Sequence, residues 1–118
     1  MVTSAVSMGA SQRRKGSRWE RELASRLREK LYPDAHRGIG QARSGGEVCD
    51  VEGTPWWIEA KAGRAPNVWA ALRQAREATD GRPPLVIAKR DRDGVVVCLA
   101  LEDFEALILA QREGWESQ

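Results

Sequence analysis

Apolar positions near the start of the chain follow a helical period. Trp19, Leu23, Leu27 and Leu31 fall on one stripe when successive residues turn by about 100°. Ser17-Arg18-Trp19-Glu20 has the form of a capping box, so a helix is expected from 17 to about 31. Pro33 stops it. The pattern then shortens to that of strands. Residues 35–43 read as a strand or extended edge with glycine breaks, and Ser44-Gly45-Gly46 reads as a loop. Residues 48–52 and 56–61 read as a β-hairpin. A basic loop at 63–66 leads to Asn67, a good N-cap for a helix over 68–78. Asp80-Gly81-Arg82-Pro83 is a break. The apolar β-rich runs 85–89 and 95–99 are joined through Asp93-Gly94, a hairpin signal. A last amphipathic helix is expected from 102 to about 112, with Phe104, Leu107 and Ile108 inward. The order is α-β-β-β-α-β-β-α, an α/β class with a mixed sheet and no internal repeat.

The chain has 118 residues, which suits one domain with a modest core. That domain is expected over 13–113, between a flexible tail at 1–12 and a short C-terminal tail at 114–118. The first dozen residues lack the charged start and apolar stretch of a signal peptide, and no apolar run approaches a membrane span. An intracellular protein with no membrane partner is therefore expected. Cys49 and Cys98 lie in apolar runs without a CxxC partner, and two reduced, buried thiols are expected. The net charge of +2 hides an asymmetry. Residues 1–43 hold ten Lys/Arg against four Asp/Glu, and the remainder holds nine against thirteen. A basic N-terminal third points to a polyanion contacted from one side, although a solvated helix face gives the same count.

The candidate chemistry lies in the hairpin. Glu59 and Lys61 alternate with Ile58 and Ala60, so the two charged residues share one face of their strand. If the strands pair, Asp50 comes close to Glu59. Two carboxylates and an ammonium on one patch of sheet suit a divalent cation and phosphodiester hydrolysis. Glu20 falls inside the apolar stripe of the first helix, where an acid should be paired, protonated or bound to metal. Each residue also has a plainer reading. Glu20 caps a helix, Glu59 and Lys61 form a surface ion pair, and Asp50 sits in a turn.

Asp50, a short spacer and Glu59-Ala60-Lys61 together resemble the signature of the PD-(D/E)xK nuclease superfamily. Lys15-Gly16-Ser17-Arg18-Trp19-Glu20-Arg21-Glu22-Leu23 is similar to the N-terminal motif of archaeal-type Holliday junction resolvases, including phage-carried versions. Arg43-Ser44-Gly45 resembles the segment before that family's metal-binding Asp, and Pro84-Leu85-Val86-Ile87-Ala88-Lys89 resembles its fourth strand. The resemblance covers residues 13–108. It implies a restriction-endonuclease-like core in a Mg²⁺-dependent enzyme, Mn²⁺ substituting, that resolves four-way DNA junctions by paired symmetric nicks. In it Asp50, Glu59 and the backbone carbonyl of Ala60 hold the metal. Glu20 reaches the metal directly or through water, and Lys61 orients the attacking water or stabilises charge on the phosphate. Arg21 and Ser44 lie near the DNA backbone.

The sequence departs from the pattern in places. Cys49 replaces the proline before Asp50, and Pro33-Asp34 is a decoy at a helix end. Gln74 matches a glutamine that some relatives carry on the helix after Glu-x-Lys. DNA contacts are expected from Arg13, Arg14, Lys15, Arg18, Arg21, Arg37, Arg43, Ser44, Gln74 and Lys89, with Arg64 a further candidate. His36 reads as a DNA contact or a neutral surface residue. Nothing resembles a base-reading module, so phosphate and shape readout are expected. Trp56, Trp57 and Trp69 read as core or interface residues. Paired nicks on two strands imply a homodimer. Two other readings stay open: a related nuclease acting on branched or single-stranded DNA, and a non-catalytic DNA-binding module.

Overall fold

The computed structural model describes residues 2–39 and 48–116, with side chains from 13 to 114 within those limits. The elements are α1 (Val2–Lys30), β1 (His36–Arg37), β2 (Val51–Glu52), β3 (Trp57–Gly63), α2 (Val68–Ala78), β4 (Pro84–Arg90), β5 (Gly94–Cys98) and α3 (Leu101–Glu116). This is the expected mixed α/β order. The five strands lie in chain order, with β3 and β4 parallel and the other neighbours antiparallel.

The parallel β3–β4 pair needs a crossover, and α2 supplies it. Asn67 caps α2 as expected, its side chain accepting from the amide of Ala70 at 3.0 Å. With α1 on one face and α2 on the other, the central strands are covered on both sides. Residues 57–60 and 84–88 are buried without interruption. On the α1 face Trp19, Leu23 and Ala24 pack with Val51, Ile58, Ala60, Leu85 and Ile87. On the α2 face Ala71 and Leu72 pack on Val86 and Ala88, and Ala75 packs with Cys49 and Trp57. The β2–β3 turn requires Gly53. Its φ is +82°, and the carbonyl of Asp34 presses where a Cβ would stand.

Several expectations change. α1 begins at Val2, so the residues expected as a tail continue the helix and Ser17 lies inside it. The Ser17 hydroxyl accepts from Arg37 Nη2 at 3.1 Å instead of capping. Leu31, expected in the buried stripe, is 64% exposed because α1 ends before it. The strand expected over 35–43 is only His36–Arg37 among the described residues, and β2 keeps only the last two residues of 48–52. α3 continues past the expected end near 112 and into the expected C-terminal tail. Its Phe104 and Ile108 are exposed rather than inward, and Leu107 is half-buried. Cys98 is only partly buried, because β5 is an edge strand with no helix fully over it. Among the described residues no helix is long and apolar enough to cross a membrane.

Candidate functional site

The site starts from a bend. Cys49 packs with Trp57 and Ala75 on the α2 face, whereas Val51 packs with Ile58 on the α1 face. Residues two apart in a regular strand share a face, so the chain turns at Asp50. The backbone stays anchored there. The Asp50 amide donates to the carbonyl of Ile58 and the Gly38 amide donates to the carbonyl of Asp50, each at 2.9 Å. Beyond the two residues of β2, the Ala60 amide has no ladder partner on that side among the described residues. Asp50 supplies one, its Oδ2 accepting from Ala60 N at 2.8 Å. A strand residue directs its N–H and C=O to the same side, so the Ala60 carbonyl opens toward the same sheet edge. Val51 pairs with Ile58 and the Asp50 amide bonds the Ile58 carbonyl, which sets the Asp50 side chain beside the peptide that joins Glu59 to Ala60.

Glu59 is 7% exposed and is engaged by a neighbour. It alternates with Ile58 and Ala60, so it belongs to the α2 face with Trp57 and Lys61. Lys61 is half-buried one step nearer the end of β3. Trp57 is 2% exposed, and among the described residues its Nε1–H finds no acceptor. Asp50, Glu59, Lys61 and the Ala60 backbone are thus brought to one edge of the sheet.

Glu20 is held in an ion pair. Its Oε2 accepts from Arg37 Nε at 2.7 Å, over β1 on the α1 side of the sheet. Arg37, expected on DNA, faces this acid and pairs in the sheet with Val51, the residue after Asp50. Among the described residues no three His, Cys, Asp or Glu side chains gather as a metal-binding group. The donor set that remains is two carboxylates and one carbonyl, all hard oxygens. That set fits Mg²⁺, which keeps several waters and takes one or two carboxylates together with substrate phosphate.

The remaining predicted contacts divide. Arg13, Arg14, Ser17, Arg18 and Arg21 line one concavity of about 490 Å³ on α1. Lys15 pairs with Asp91 at 2.8 Å, and Lys89 pairs with Glu22 at 3.2 Å while lying 5.3 Å from the centre of the Trp19 ring. These exposed pairs are weak. His36 is exposed, its Nδ1 set 2.9 Å from the Asp34 carbonyl. Gln74 and Arg64 are exposed. Arg43 and Ser44 lie outside the described residues.

Arg82 was not among the predicted residues, yet it braces the site from behind. Its Nη1 donates to Glu52 at 2.9 Å and its Nε to Asp80 at 3.0 Å, with the guanidinium 5.2 Å from the centre of the Trp57 ring. These contacts tie β2, two residues from Asp50, to the turn before β4. Burial alone would raise the Glu52 carboxyl, but hydrogen bonds from Arg82 and Cys49 outweigh it and hold the group below its usual value. The hydrogen bond from Arg82 likewise lowers Asp80. Burial pushes the Cys49 thiol up to about 11. The sequence marked Arg82 only as part of a break, and no local pattern names a partner thirty residues upstream.

Trp69, expected in the core or at an interface, is 80% exposed. Trp57 is in the core, and Trp56 packs against it while donating to the Tyr32 hydroxyl at 2.9 Å. Comparison with known proteins finds no matching family model, no matching curated protein and no matching solved structure.

Proposed function

We propose that the chain is a Mg²⁺-dependent endodeoxyribonuclease that resolves four-way DNA junctions by paired nicks. The observation that carries the reading is the 2.8 Å hydrogen bond from the Ala60 amide to Asp50, which holds this acid against the Glu59-Ala60-Lys61 strand. Asp50, Glu59 and the Ala60 carbonyl would hold the cation, with Mn²⁺ able to replace it. When bound, the cation supplies Lewis-acid polarisation of the scissile phosphate. The Ala60 amide fixes one Asp50 oxygen, and the other would serve the cation. Lys61, on the same strand face as Glu59, orients water or offsets charge growing on the phosphate. Arginines on α1 hold the DNA backbone through its phosphates, which gives affinity without base readout.

Two nicks require two sites and therefore a homodimer. Val97 on β5 and Phe104 on α3 are exposed at 56% and 47% and line one apolar surface with Leu107, suited to a second copy.

The test compares matched four-way, flap and duplex DNA with Mg²⁺ or Mn²⁺, using the wild type, Asp50→Asn and Glu59→Gln. Paired nicks on the junction are expected, with losses of about 10²–10³-fold in both variants while binding persists. Binding should fall steeply as salt rises. Equal cutting of flaps would favour a nuclease of broader branched or single-stranded specificity. Binding without any cutting would favour a non-catalytic DNA-binding module, a reading to which the Glu20–Arg37 pairing lends weight.

A further inference from the structure

Trp69 is the second residue of α2 and is 80% exposed. The buried stripe of α2 uses Ala71, Leu72 and Ala75, with Val68 packed beside them, and Trp69 lies off that stripe. Arg73, one turn further on, shares its flank. The helix start that presents the indole is firmly built. Asn67 caps Ala70 at 3.0 Å, and the Val68 amide donates to the Pro66 carbonyl at 3.1 Å. The ring therefore projects from a fixed helical turn.

The surroundings are basic. The Asp91 amide donates to the Gly63 carbonyl at 2.9 Å, and Lys15 reaches Asp91 at 2.8 Å. These bonds gather four elements at one end of the sheet: the basic segment of α1, the end of β3 just beyond Lys61, the β4–β5 turn, and the loop that opens α2. Among the described residues Arg64, Arg73 and Arg92 form no ion pair.

A large indole in water forgoes burial that its size would favour. An apolar protein surface covering it would have to desolvate the neighbouring arginines, which is costly. A partner that carries both anionic groups and flat π faces satisfies both features. In paired duplex the base faces are already stacked on one another, so the available faces belong to unpaired bases. We propose that Trp69 is a stacking platform for an unpaired nucleobase at the branch of the DNA substrate, with Arg64 and Arg73 on the flanking phosphates. This rests on the DNA-cleaving reading above and adds to it a subsite for single-stranded character.

The test uses the full chain as wild type, Trp69→Phe and Trp69→Ala. Fluorescence anisotropy measures binding to a four-way junction with unpaired thymines at its branch, to oligo(dT), and to blunt duplex of equal length. Trp69→Ala should weaken the first two by about 5- to 150-fold and leave duplex within about twofold, and Trp69→Phe should retain most of the affinity. 2-Aminopurine at the branch should be quenched by the wild type and not by Trp69→Ala. Unchanged binding of the unpaired substrates, or an equal loss on duplex, overturns the proposal. So does a Trp69→Ala chain that loses self-association in sedimentation while each protomer binds DNA as before, since Trp69 would then contact a second copy. If wild type binds no DNA at all, the cleavage reading has failed as well. Wild-type binding with an indifferent Trp69→Ala fails the stacking platform alone. Unchanged circular dichroism and melting confirm that the variants are folded.

Discussion

The two faces of β3 arise from the same seven residues but enclose different interiors. On the α1 face Ile58 and Ala60 meet Trp19, Leu23 and Ala24 in an apolar contact, beside which the Trp19 indole N–H donates to the Ile87 carbonyl at 3.3 Å. On the α2 face Trp57, Glu59 and Lys61 alternate with them, and the neighbours include Cys49 and the Arg82 guanidinium. The first face has the composition of a stabilising core. The second keeps charge close to buried surface, with an indole donor that finds no acceptor among the described residues, an arrangement whose stability depends on hydrogen bonds. Strand alternation lets one segment do both, so a substitution on one face should leave the other largely intact.

The strongest way to break this contrast is Ile58→Ala. Its side chain is 1% exposed, and its loss should cost roughly 3 kcal/mol in urea denaturation. The metal and DNA affinity of the fraction that remains folded should be little changed. A comparable loss of affinity per folded molecule would mean that the two faces are not separable.

Arg82→Ala should cost less, about 2 kcal/mol, because its partners are partly exposed. It should nonetheless disturb the site face, by releasing Glu52 and with it the backbone next to Asp50. The expected signature is weaker Mn²⁺ binding than in the wild type at equal folded fraction. Arg82→Lys should recover only part of it, since a single ammonium cannot span Glu52 and Asp80 as the fork does.

The same cluster sets a pH dependence. Glu52 and Asp80 titrate below their unfolded values. Their contribution to stability is therefore fully present above about pH 4, the ordinary carboxylate range, and is lost as pH falls through the folded values. Denaturation midpoints measured from pH 6 downward should drop in the wild type below about pH 4. The drop should be smaller in Arg82→Ala, and an identical drop would place the acid-sensitive groups elsewhere.

The smallest effect concerns the thiols. Cys49 is fully buried with its thiol raised to about 11, whereas Cys98 is partly exposed on the edge strand. A thiol reagent at neutral pH should label Cys98 first, and Cys49 only on unfolding. Equal rates would mean that the α2 face opens readily.

Much of the fold was legible because its signals are local. The capped helix at Asn67, the hairpin signal at Asp93-Gly94 and the apolar runs of β4 and β5 depend on neighbours a few residues apart. The same holds for the placing of Glu59 and Lys61 on one face. Errors gathered where a local signal had a competitor. Ser17 has the chemistry of a cap, yet a helix already in progress from Val2 runs through it. Phe104 and Ile108 have helical spacing, but that spacing does not supply a surface for α3 to bury them against.

By itself the sequence determined the order of elements, the alternation along β3 and the chemical identity of the groups near the hairpin. Tertiary structure alone decided how those groups meet. It bends the chain at Asp50 so that a carboxylate caps the Ala60 amide, turns Glu20 to Arg37, and brings Arg82 to Glu52. Periodicity is set by backbone geometry within a turn or a pleat. Pairings between distant residues depend on where the chain returns and in which register, and no local pattern encodes that.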